Sequence, residues 1–365
     1  MLTSLVGLPA SELDTPALLV DLDILEANIA SMAGDIAARN CSWRPHSKAN
    51  KAPAIAHREL QAGAIGITCA KLGEAEVMVA NGVYDILISN QIVGAIKTRR
   101  LAAINKQPGV DVKVCVDSLE NVRQIGAAAV ELGATVRVLI ELNSGMNRAG
   151  IDPADAVDFA KVIAETDGVE FAGLMTWEGH TMGVKDQAER VAQIKNSVQQ
   201  VLDAADAIKA AGIPVEIISC GGTGTYMTTA AMDGVTEVQA GGGIWGDELY
   251  MKLDAKVNPA LTLMTTVVSR PTPTRVIVDA GRKTVDPSNV APTPLGVKVA
   301  KAPVLSAEHG NVTLAEPSDC PKVGDHLCFR IGYSDQVMHL HECLYGVRNG
   351  IVEQIIPIAG RGRLQ

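Results

Sequence analysis

The segment Arg44-Pro45-His46-Ser47-Lys48-Ala49-Asn50-Lys51 places a lysine where covalent chemistry is possible. Lys48 follows a short strand-like run and precedes a helical run that begins near Ala52. A lysine amine that a site removes from water forms a Schiff base with a carbonyl cofactor. Lys48 is therefore a candidate covalent anchor, although an ordinary surface lysine at a strand end also fits this position.

Two glycine-rich segments, Gly221-Gly222-Thr223-Gly224-Thr225-Tyr226 and Gly241-Gly242-Gly243, follow two later strand-like runs. Because glycine has no side chain, backbone N–H groups there approach a phosphate closely, and Thr223 and Thr225 add hydroxyl donors. A flexible turn is the alternative. A Schiff-base lysine together with a phosphate site indicates pyridoxal phosphate (PLP) as the cofactor.

Aromatic and basic side chains follow other strand-like runs. The three tryptophans, Trp43, Trp177 and Trp245, all lie near such ends in a chain with only 3% aromatic residues. They suit the walls of a site for a flat ring, and packing is the alternative. Arg148 and His180 follow the fifth and sixth runs, where an arginine binds anions and a histidine transfers protons.

Strand-like and helical stretches alternate through the first part of the chain. Eight strands are predicted at Ser42–Pro45, Ala64–Cys69, Asp85–Ser89, Val112–Val116, Arg137–Glu141, Glu170–Met175, Glu216–Ser219 and Glu237–Ala240. Eight such units favour an α/β fold of the (β/α)8 TIM-barrel type over an open sheet. A barrel of this type carries its active site at the carboxyl ends of the strands and its phosphate site after strands seven and eight.

The character of the chain changes after about Met251, where helical periodicity stops and valine, threonine and proline become frequent. Short strands are predicted at Arg275–Asp279, Gly296–Val299, His326–Ile331 and Gly350–Pro357. We therefore predict a PLP-binding barrel over residues 16–250 and a second, mostly β domain over residues 251–365 together with 1–15.

Composition excludes several classes of function. The net charge of -9 and the absence of a basic run argue against nucleic acid as a partner. No apolar run reaches the length of a membrane span, and the first residues lack a charged signal region. The seven cysteines form no CxxC pair, which predicts reduced thiols in a cytoplasmic protein.

Several motifs in the chain together resemble the D-threonine aldolase and D-serine dehydratase group of fold-type III PLP enzymes, whose barrel is shared with alanine racemase. The motifs are Asp14–Ala17, Val20–Asp23, Arg44–Lys48, Cys69–Glu76, Gly145–Gly150, Gly221–Tyr226, Val278–Gly281, Glu308–Gly310 and Ala359–Gly362. The resemblance covers nearly the whole chain and implies a homodimer in which the β domain completes the pocket.

Roles for individual residues follow from this resemblance. Lys48 is expected to hold PLP and to transfer a proton, with His46 beside it, and Arg148 to lie near the phenolic oxygen of the cofactor. Trp177 stands where the family is expected to have a tyrosine near the cofactor ring. The phosphate is expected to bind to the glycine loops, at Gly222, Thr223, Gly224, Thr225, Gly241 and Gly242. The substrate is expected to contact Asn50 and Tyr226.

A divalent metal (Mn, Mg or Zn) is the point at which the chain departs from the family. Its relatives are expected to bind the metal through a His-x-Asp or His-x-Cys pair, and the ungapped register places Tyr333 at the histidine and Asp335 at the carboxylate. A neutral tyrosine is a poor ligand for such an ion, so the sequence argues against a metal. The pairs His339/His341 and His341/Cys343 stay open as alternative ligands on a predicted strand.

The resemblance favours an aldolase that cleaves or forms the Cα–Cβ bond of a D-configured or α-substituted β-hydroxy amino acid, with an aldehyde as the second substrate. Without a metal, His180, Tyr333 or Asp335 is expected to take the β-hydroxyl proton. The alternatives are β-elimination by a dehydratase of the D-serine or D-3-hydroxyaspartate type, racemisation, and a non-catalytic PLP carrier.

Overall fold

The computed structural model describes residues 5–253 and 256–365. The chain forms two compact units, each built from more than one stretch of sequence. The α/β unit comprises Ala33–Lys48, Ile55–Gly241 and Arg363–Gln365, and the β-rich unit comprises Met1–Met32, Ala49–Ala54 and Gly242–Gly362.

The N-terminal stretch supplies strand β1 (Ala17–Asp21) and helix α1 (Leu22–Ala37). Strands β2 to β9 then follow at Ser42–Trp43, Ile67–Cys69, Asp85–Ile88, Asp111–Val116, Val136–Glu141, Val169–Met175, Ile217–Cys220 and Glu237–Val238. Helices α2 to α8 alternate with them at Pro53–Gln61, Leu72–Ala80, Ala95–Asn105, Leu119–Leu132, Ala156–Ala164, Gln187–Ala210 and Tyr226–Thr229.

The eight strands of the α/β unit form one parallel sheet in the order β2-β9-β8-β7-β6-β5-β4-β3. A parallel bridge between His46 and Thr68 joins the two ends of this order. The backbone N–H groups of Ile65 and Thr68 donate to the carbonyls of Trp43 and Pro45, each over 2.9 Å. The ring is therefore closed, and the predicted (β/α)8 barrel is confirmed.

Buried charges tie neighbouring strands of the barrel together. The Arg44 guanidinium, 2% exposed, lies 3.0 Å from Glu237 and 2.6 Å from Asp85. The Lys113 ammonium lies 2.8 Å from the same Asp85 carboxylate. Removing Glu237 or Asp85 would leave the buried Arg44 cation with less compensation, so this cation depends on both carboxylates. Gly66 leaves room for this group, because a Cβ atom there would lie 2.4 Å from Arg44 Nη1.

Apolar side chains from five adjacent strands fill part of the barrel interior. They form one buried cluster of Leu87, Cys115, Leu139, Ala172, Met175 and Ile217. Small and medium side chains dominate this layer, in keeping with the low aromatic content of the sequence. None of the helices in the described ranges is both long and apolar enough to span a membrane.

The β-rich unit contains the short helix α9 (Glu248–Met251) and strands β10 to β17. The strands lie at Leu261–Thr272, Arg275–Val278, Thr293–Pro294, Val304–Leu305, Gly310–Thr313, His326–Arg330, Cys343–Arg348 and Ile351–Pro357. Their sheet runs in the order β13-β14-β11-β10-β1-β16-β17, and β15 pairs with both β10 and β12. The predicted second, mostly β domain is therefore confirmed as an architecture.

Two expectations about this unit differ from the structure. The predicted strand Gly296–Val299 is wrong, because Gly296 has φ +74° and breaks the extended chain, leaving only a bridge at Val299. The predicted boundaries assigned residues 16–32 to the barrel. The structure groups them with the β-rich unit, since β1 pairs antiparallel with β10 and parallel with β16.

A glutamate on helix α2 is buried without compensation. Glu59 is 0% exposed, and neither of its carboxylate oxygens has a hydrogen-bond partner among the described residues. Burial penalises the charged form and raises the pKa of this carboxyl well above its ordinary value. The unfolded chain releases the proton at the ordinary pKa, whereas the folded chain retains it.

We predict that Glu59→Gln increases the free energy of unfolding at pH 8 by about 1–3 kcal/mol. The neutral amide cannot ionise, so unfolding at pH 8 no longer gains free energy from release of the Glu59 proton. The stability that wild-type Glu59 supplies is complete below its unfolded pKa and is lost as the pH rises towards the raised folded pKa. Urea unfolding at pH 5 and pH 8 measures this difference. Exposed Glu165→Gln is the control, and a Glu59→Gln gain that is equal at both pH values would contradict the assignment.

Candidate active site

Lys48 lies in a one-turn 3-10 helix, Ser47–Ala49, directly after β2, and its side chain is half-buried. The backbone N–H of Lys48 donates to Nδ1 of His46 over 3.3 Å. Nε2 of the same ring lies 3.2 Å from the hydroxyl of Ser89, which follows β4. The predicted pair His46 and Lys48 is therefore brought together, and His46 orients the turn that carries the lysine.

The end of β9 packs directly against this turn. The backbone N–H of His46 donates to the Gln239 carbonyl over 3.2 Å, and the indole N–H of Trp43 donates to the Ala240 carbonyl over 2.7 Å. A Cβ atom on Gly241 would lie 2.4 Å from the His46 carbonyl oxygen. Gly241 is therefore required for close approach of the two backbones beneath Lys48.

The glycine-rich segment after β8 forms a tight turn that leads into α8. Gly221 adopts φ +75°, a left-handed conformation that favours glycine. The Gly222 N–H donates to the Thr225 hydroxyl over 3.0 Å, and the Tyr226 N–H donates to the Gly222 carbonyl over 2.9 Å. Thr223 is buried and Gly224 is half-buried in the same turn.

Trp177 covers this turn from the end of β7. A Cβ atom on Gly222 would lie 2.5 Å from the far edge of the Trp177 ring, and one on Gly179 would lie 2.1 Å from the indole nitrogen. Both glycines leave space for the ring, which therefore lies against the turn. The expected place of Trp177 beside the cofactor ring stays a prediction. We conclude that Trp177 forms a wall beside the turn.

Arg148, after β6, is held by a carboxylate that the sequence analysis did not identify. Arg148 is half exposed, and its Nη2 lies 3.3 Å from Oε1 of Glu141, which is 4% exposed at the end of β6. Gln91 donates to the other oxygen of Glu141 over 2.5 Å. Burial raises the pKa of Glu141, and the contacts from Gln91 and Arg148 oppose that rise. A glutamate at the carboxyl end of a predicted strand, seven residues before Arg148, was the available signal.

His180 lies in a different environment from the one expected of a base near Lys48. Its Nε2 is 3.3 Å from the Ser197 hydroxyl on α7, and that hydroxyl donates to the Ser144 carbonyl over 3.1 Å. His180 lines a polar cavity of about 680 Å³ between α7 and the loop after β6. Among the residues that the structure describes, Lys48 does not line this cavity. A catalytic role for His180 stays a prediction.

Tyr226 is 2% exposed, and its hydroxyl interacts with Asp35 of α1. Burial raises the pKa of Tyr226 to about 12, so the phenol is neutral. In the β-rich unit, Asn50 is fully buried, and its side-chain oxygen accepts from the Ala52 N–H over 3.0 Å. Substrate binding by Asn50 and Tyr226 therefore stays a prediction.

Tyr333 and Asp335 form a pair in the β-rich unit. The Tyr333 hydroxyl donates to Oδ2 of Asp335 over 2.8 Å. The Tyr333 ring meets the Tyr250 ring edge to face, with centroids 6.0 Å apart, and a Cβ atom on Gly242 would lie 2.8 Å from the Tyr250 hydroxyl. Burial and the Asp335 charge raise the pKa of Tyr333 far above its ordinary value, so its hydroxyl remains a proton donor.

The segment between these two residues is anchored by a buried carboxylate. Asp247 accepts hydrogen bonds from the backbone N–H of Ser334 over 2.8 Å and from its hydroxyl over 2.7 Å. It also accepts from the Tyr250 N–H over 3.0 Å. Burial raises the pKa of Asp247 to about 6, and these hydrogen bonds oppose the rise. Asp247 therefore joins the backbone of Tyr250 to Ser334, the residue between Tyr333 and Asp335.

The donor set around Asp335 does not fit a divalent metal. A neutral phenol is a weak ligand, and Tyr333 already directs its proton at the one carboxylate of the pair. The alternative histidines do not lie on a strand as expected, because residues 338–340 form a 3-10 turn. In that segment His339 is exposed, and His341 Nε2 lies 2.9 Å from the Thr284 carbonyl. No cluster of three His, Cys, Asp or Glu side chains suited to a metal occurs within residues 5–253 and 256–365.

Comparison with known proteins agrees with this architecture. Residues 20–249 match the family described as alanine racemase, N-terminal domain, and residues 260–347 match a putative serine dehydratase domain. The chain belongs to the alanine racemase N-terminal domain family. The family implies PLP, and the predicted resemblance to D-threonine aldolases and D-serine dehydratases is confirmed.

Individual members of the family are similar over almost the whole chain. A D-threonine aldolase from Arthrobacter sp. is 34% identical over 98% of this chain and 95% of its own length, and a 3-hydroxy-D-aspartate aldolase from Paracoccus denitrificans is 32% identical over 99% and 95%. The crystal structure of a D-threonine aldolase from Filomicrobium marinum superimposes with a TM-score of 0.93, at 34% identity over 98% of each chain. That of D-threo-3-hydroxyaspartate dehydratase from Delftia sp. HT23 gives 0.84, at 26% identity over 96% and 98%.

The residues of the α/β unit fit the PLP that the family implies. Lys48 offers a half-buried amine in an ordered turn, and Gly222 stands in a crowded turn where a side chain would meet Trp177. Arg148 offers a cation that Glu141 orients. An amine, a glycine turn and an oriented cation are the groups that a phosphorylated aldehyde requires.

We predict that Gly241→Ala destabilises the fold by about 1–3 kcal/mol, because the added methyl group would meet the His46 backbone and not a flexible side chain. Gly183→Ala is the matched control, since a Cβ atom there has nothing within 4 Å. Thermal unfolding of both variants measures the effect. Equal stabilities would show that the Lys48 turn tolerates displacement.

Proposed function

We propose that this protein is a PLP-dependent aldolase that cleaves or forms the Cα–Cβ bond of a D-configured or α-substituted β-hydroxy amino acid. The observation that carries the proposal is the ordered Lys48 turn at the carboxyl end of β2, in a chain similar over nearly its full length to two aldolases of D-amino acids. The substrates are accordingly a small amino acid and an aldehyde.

Individual residues have separate tasks in this proposal. Lys48 binds the cofactor through its amine and returns a proton to substrate, and His46 orients the lysine. Bound PLP supplies an electron sink for the pair of electrons left on Cα. Arg148 provides a fixed positive charge near the cofactor, and Gly222 to Thr225 with Gly241 and Gly242 bind the phosphate.

We assign the β-hydroxyl proton to the Tyr333–Asp335 pair, in a reaction that needs no divalent metal. Asp335 accepts the Tyr333 proton in a hydrogen bond of 2.8 Å, so a carboxylate stands ready behind a phenol. The phenol oxygen accepts the proton of the substrate hydroxyl while the phenol gives its own proton to the Asp335 carboxylate. His180, which bonds to Ser197, is the less favoured base.

A dehydratase is the second candidate, because D-threo-3-hydroxyaspartate dehydratase from Delftia sp. is 32% identical over 74% of this chain. Elimination uses the same residues until the β-hydroxyl leaves, after which it yields a keto acid and ammonia. Loss of the histidine ligand at Tyr333 removes the Lewis acid that would assist a leaving hydroxyl, which favours the aldolase. We further propose a cytoplasmic homodimer.

The function is tested by incubating holoenzyme with a panel of D-β-hydroxy amino acids and measuring aldehyde and keto acid. We expect aldehyde with glycine or another small amino acid as products. Lys48→Ala is expected to lower kcat by at least about 10³-fold, because it removes both the anchor and a proton carrier. Borohydride reduction followed by peptide mass spectrometry should place the pyridoxyl group on Lys48 in the wild type alone. Keto acid and ammonia would establish the dehydratase, and PLP binding without turnover would establish a carrier.

Removal of divalent metals tests the Tyr333–Asp335 assignment. We expect that exhaustive chelation changes kcat less than twofold, while Tyr333→Phe lowers kcat by about 10²-fold because the phenol can no longer pass the proton. Exposed Tyr84→Phe is the control. Activity that disappears on chelation and returns with added Mn²⁺ would overturn the assignment.

A further inference from the structure

Glu178, at the carboxyl end of β7, is a fully buried carboxylate to which neither the sequence nor the proposed reaction gives a role. It directly follows Trp177 and is 0% exposed. Transferring an ionised carboxylate out of water costs several kcal/mol unless hydrogen bonds replace its hydration. The groups that contact Glu178 therefore indicate what the residue does.

The two carboxylate oxygens of Glu178 contact the glycine-rich turn after β8 and the end of helix α8, which follows the turn. Oε2 accepts from the backbone N–H of Gly221 over 3.2 Å, and Oε1 accepts from the hydroxyl of Thr229. Gly221 begins the turn and Thr229 ends helix α8, so one side chain joins the two ends of the segment. Burial raises the pKa of Glu178, and the hydrogen bonds from Thr229, Gly221 and Thr225 oppose that rise.

The residue before Glu178 also contacts the turn. The Trp177 ring occupies the space in which a side chain on Gly222 would lie, because a Cβ atom there would be 2.5 Å from the ring. Trp177 and Glu178 thus contact the successive residues Gly222 and Gly221 from one strand end. The conformation of the turn is defined by these contacts and by the Gly222–Thr225 hydrogen bond of 3.0 Å.

A turn that is already fixed loses little conformational entropy when it binds an anion, so its affinity is higher than that of a mobile turn. We propose that Glu178 is a positioning residue that pre-forms the turn Gly221–Thr225 for a phosphate group. Glu178 then sets the affinity for the phosphate end of the cofactor and leaves the aldehyde end unaffected. This inference rests on the proposed function, in which the phosphate belongs to PLP.

The test compares the binding of PLP with that of pyridoxal, which lacks the phosphate, to cofactor-free wild-type protein, Glu178→Ala and Glu178→Gln. We expect Glu178→Ala to weaken PLP binding by about tenfold or more, since it removes both hydrogen bonds that join the ends of the segment, and to leave pyridoxal binding within about twofold. Glu178→Gln keeps an acceptor of the same shape and should stay within about threefold of wild type for PLP. Thr229→Val, which removes one donor, should shift the PLP-to-pyridoxal ratio in the same direction by less.

Glu59→Ala is the matched control, because it removes a buried carboxylate of the same unit that has no hydrogen-bond partner among the described residues. It should leave the PLP-to-pyridoxal ratio unchanged. Unchanged PLP affinity in Glu178→Ala, or equal losses for PLP and pyridoxal, would overturn the proposal. Should Glu178→Ala not fold, the ratio in Thr229→Val decides in the same way.

Amide hydrogen exchange of residues 221–226 in the cofactor-free protein separates this inference from the proposed function. Faster exchange in Glu178→Ala supports a turn held by Glu178, and exchange equal to wild type overturns it, whatever the cofactor. The proposed function fails on a different observation, namely wild-type protein that binds neither PLP nor pyridoxal at Lys48.

Discussion

Closure of the barrel at β2 is the constraint on which the candidate site depends. The strand is only two residues long, and the chain beyond it is held by backbone bonds to Gln239 on one side and by the bridge between His46 and Thr68 on the other. Lys48 follows immediately in this doubly bonded stretch. Because the barrel must close through these few residues, the position of the Lys48 backbone is determined by main-chain geometry. Gly241 is part of the same constraint, since only a residue without Cβ allows the two backbones to approach.

Buried carboxylates contact two further loops of the α/β unit, the one that carries Arg148 and the glycine turn after β8. Glu141 contacts Arg148 and Gln91, and Glu178 contacts the glycine turn. A buried acid needs donors on both oxygens. Glu141 receives them from Gln91 and Arg148, and Glu178 from Gly221 and Thr229. These hydrogen bonds offset the free-energy cost of burying each carboxylate, and they form only when the loops that supply the donors are ordered. Glu59 shows the contrast, because it is equally buried without such partners and is expected to lower stability as the pH rises.

The β-rich unit contains a hydrogen-bonded pair at the position where the resemblance leads us to expect metal ligands. Tyr333 and Asp335 occupy the register at which the family is expected to have a histidine and a carboxylate, and the phenol proton lies between them. The edge-to-face contact with Tyr250 and the bonds from Asp247 to Ser334 hold this pair in place. A protonated phenol and a carboxylate suit proton transfer. They do not suit coordination of a hard cation, which needs several unprotonated ligands.

The sequence by itself determined the barrel, its eight strands and the lysine, because each depends on local periodicity or on a residue type next to a strand end. The glycine motifs likewise predicted tight turns, since a close approach of two backbone segments requires a residue without a side chain. Only the tertiary structure decided which loops meet. Glu178 was missed because its partners Gly221 and Thr229 are 43 and 51 residues away. The Gln91 contact of Glu141 likewise spans 50 residues, and the packing of α7 places His180 beside Ser197. It also decided that β1 belongs with β10 and β16, because strand pairing depends on partners about 240 and 330 residues away that no local pattern specifies.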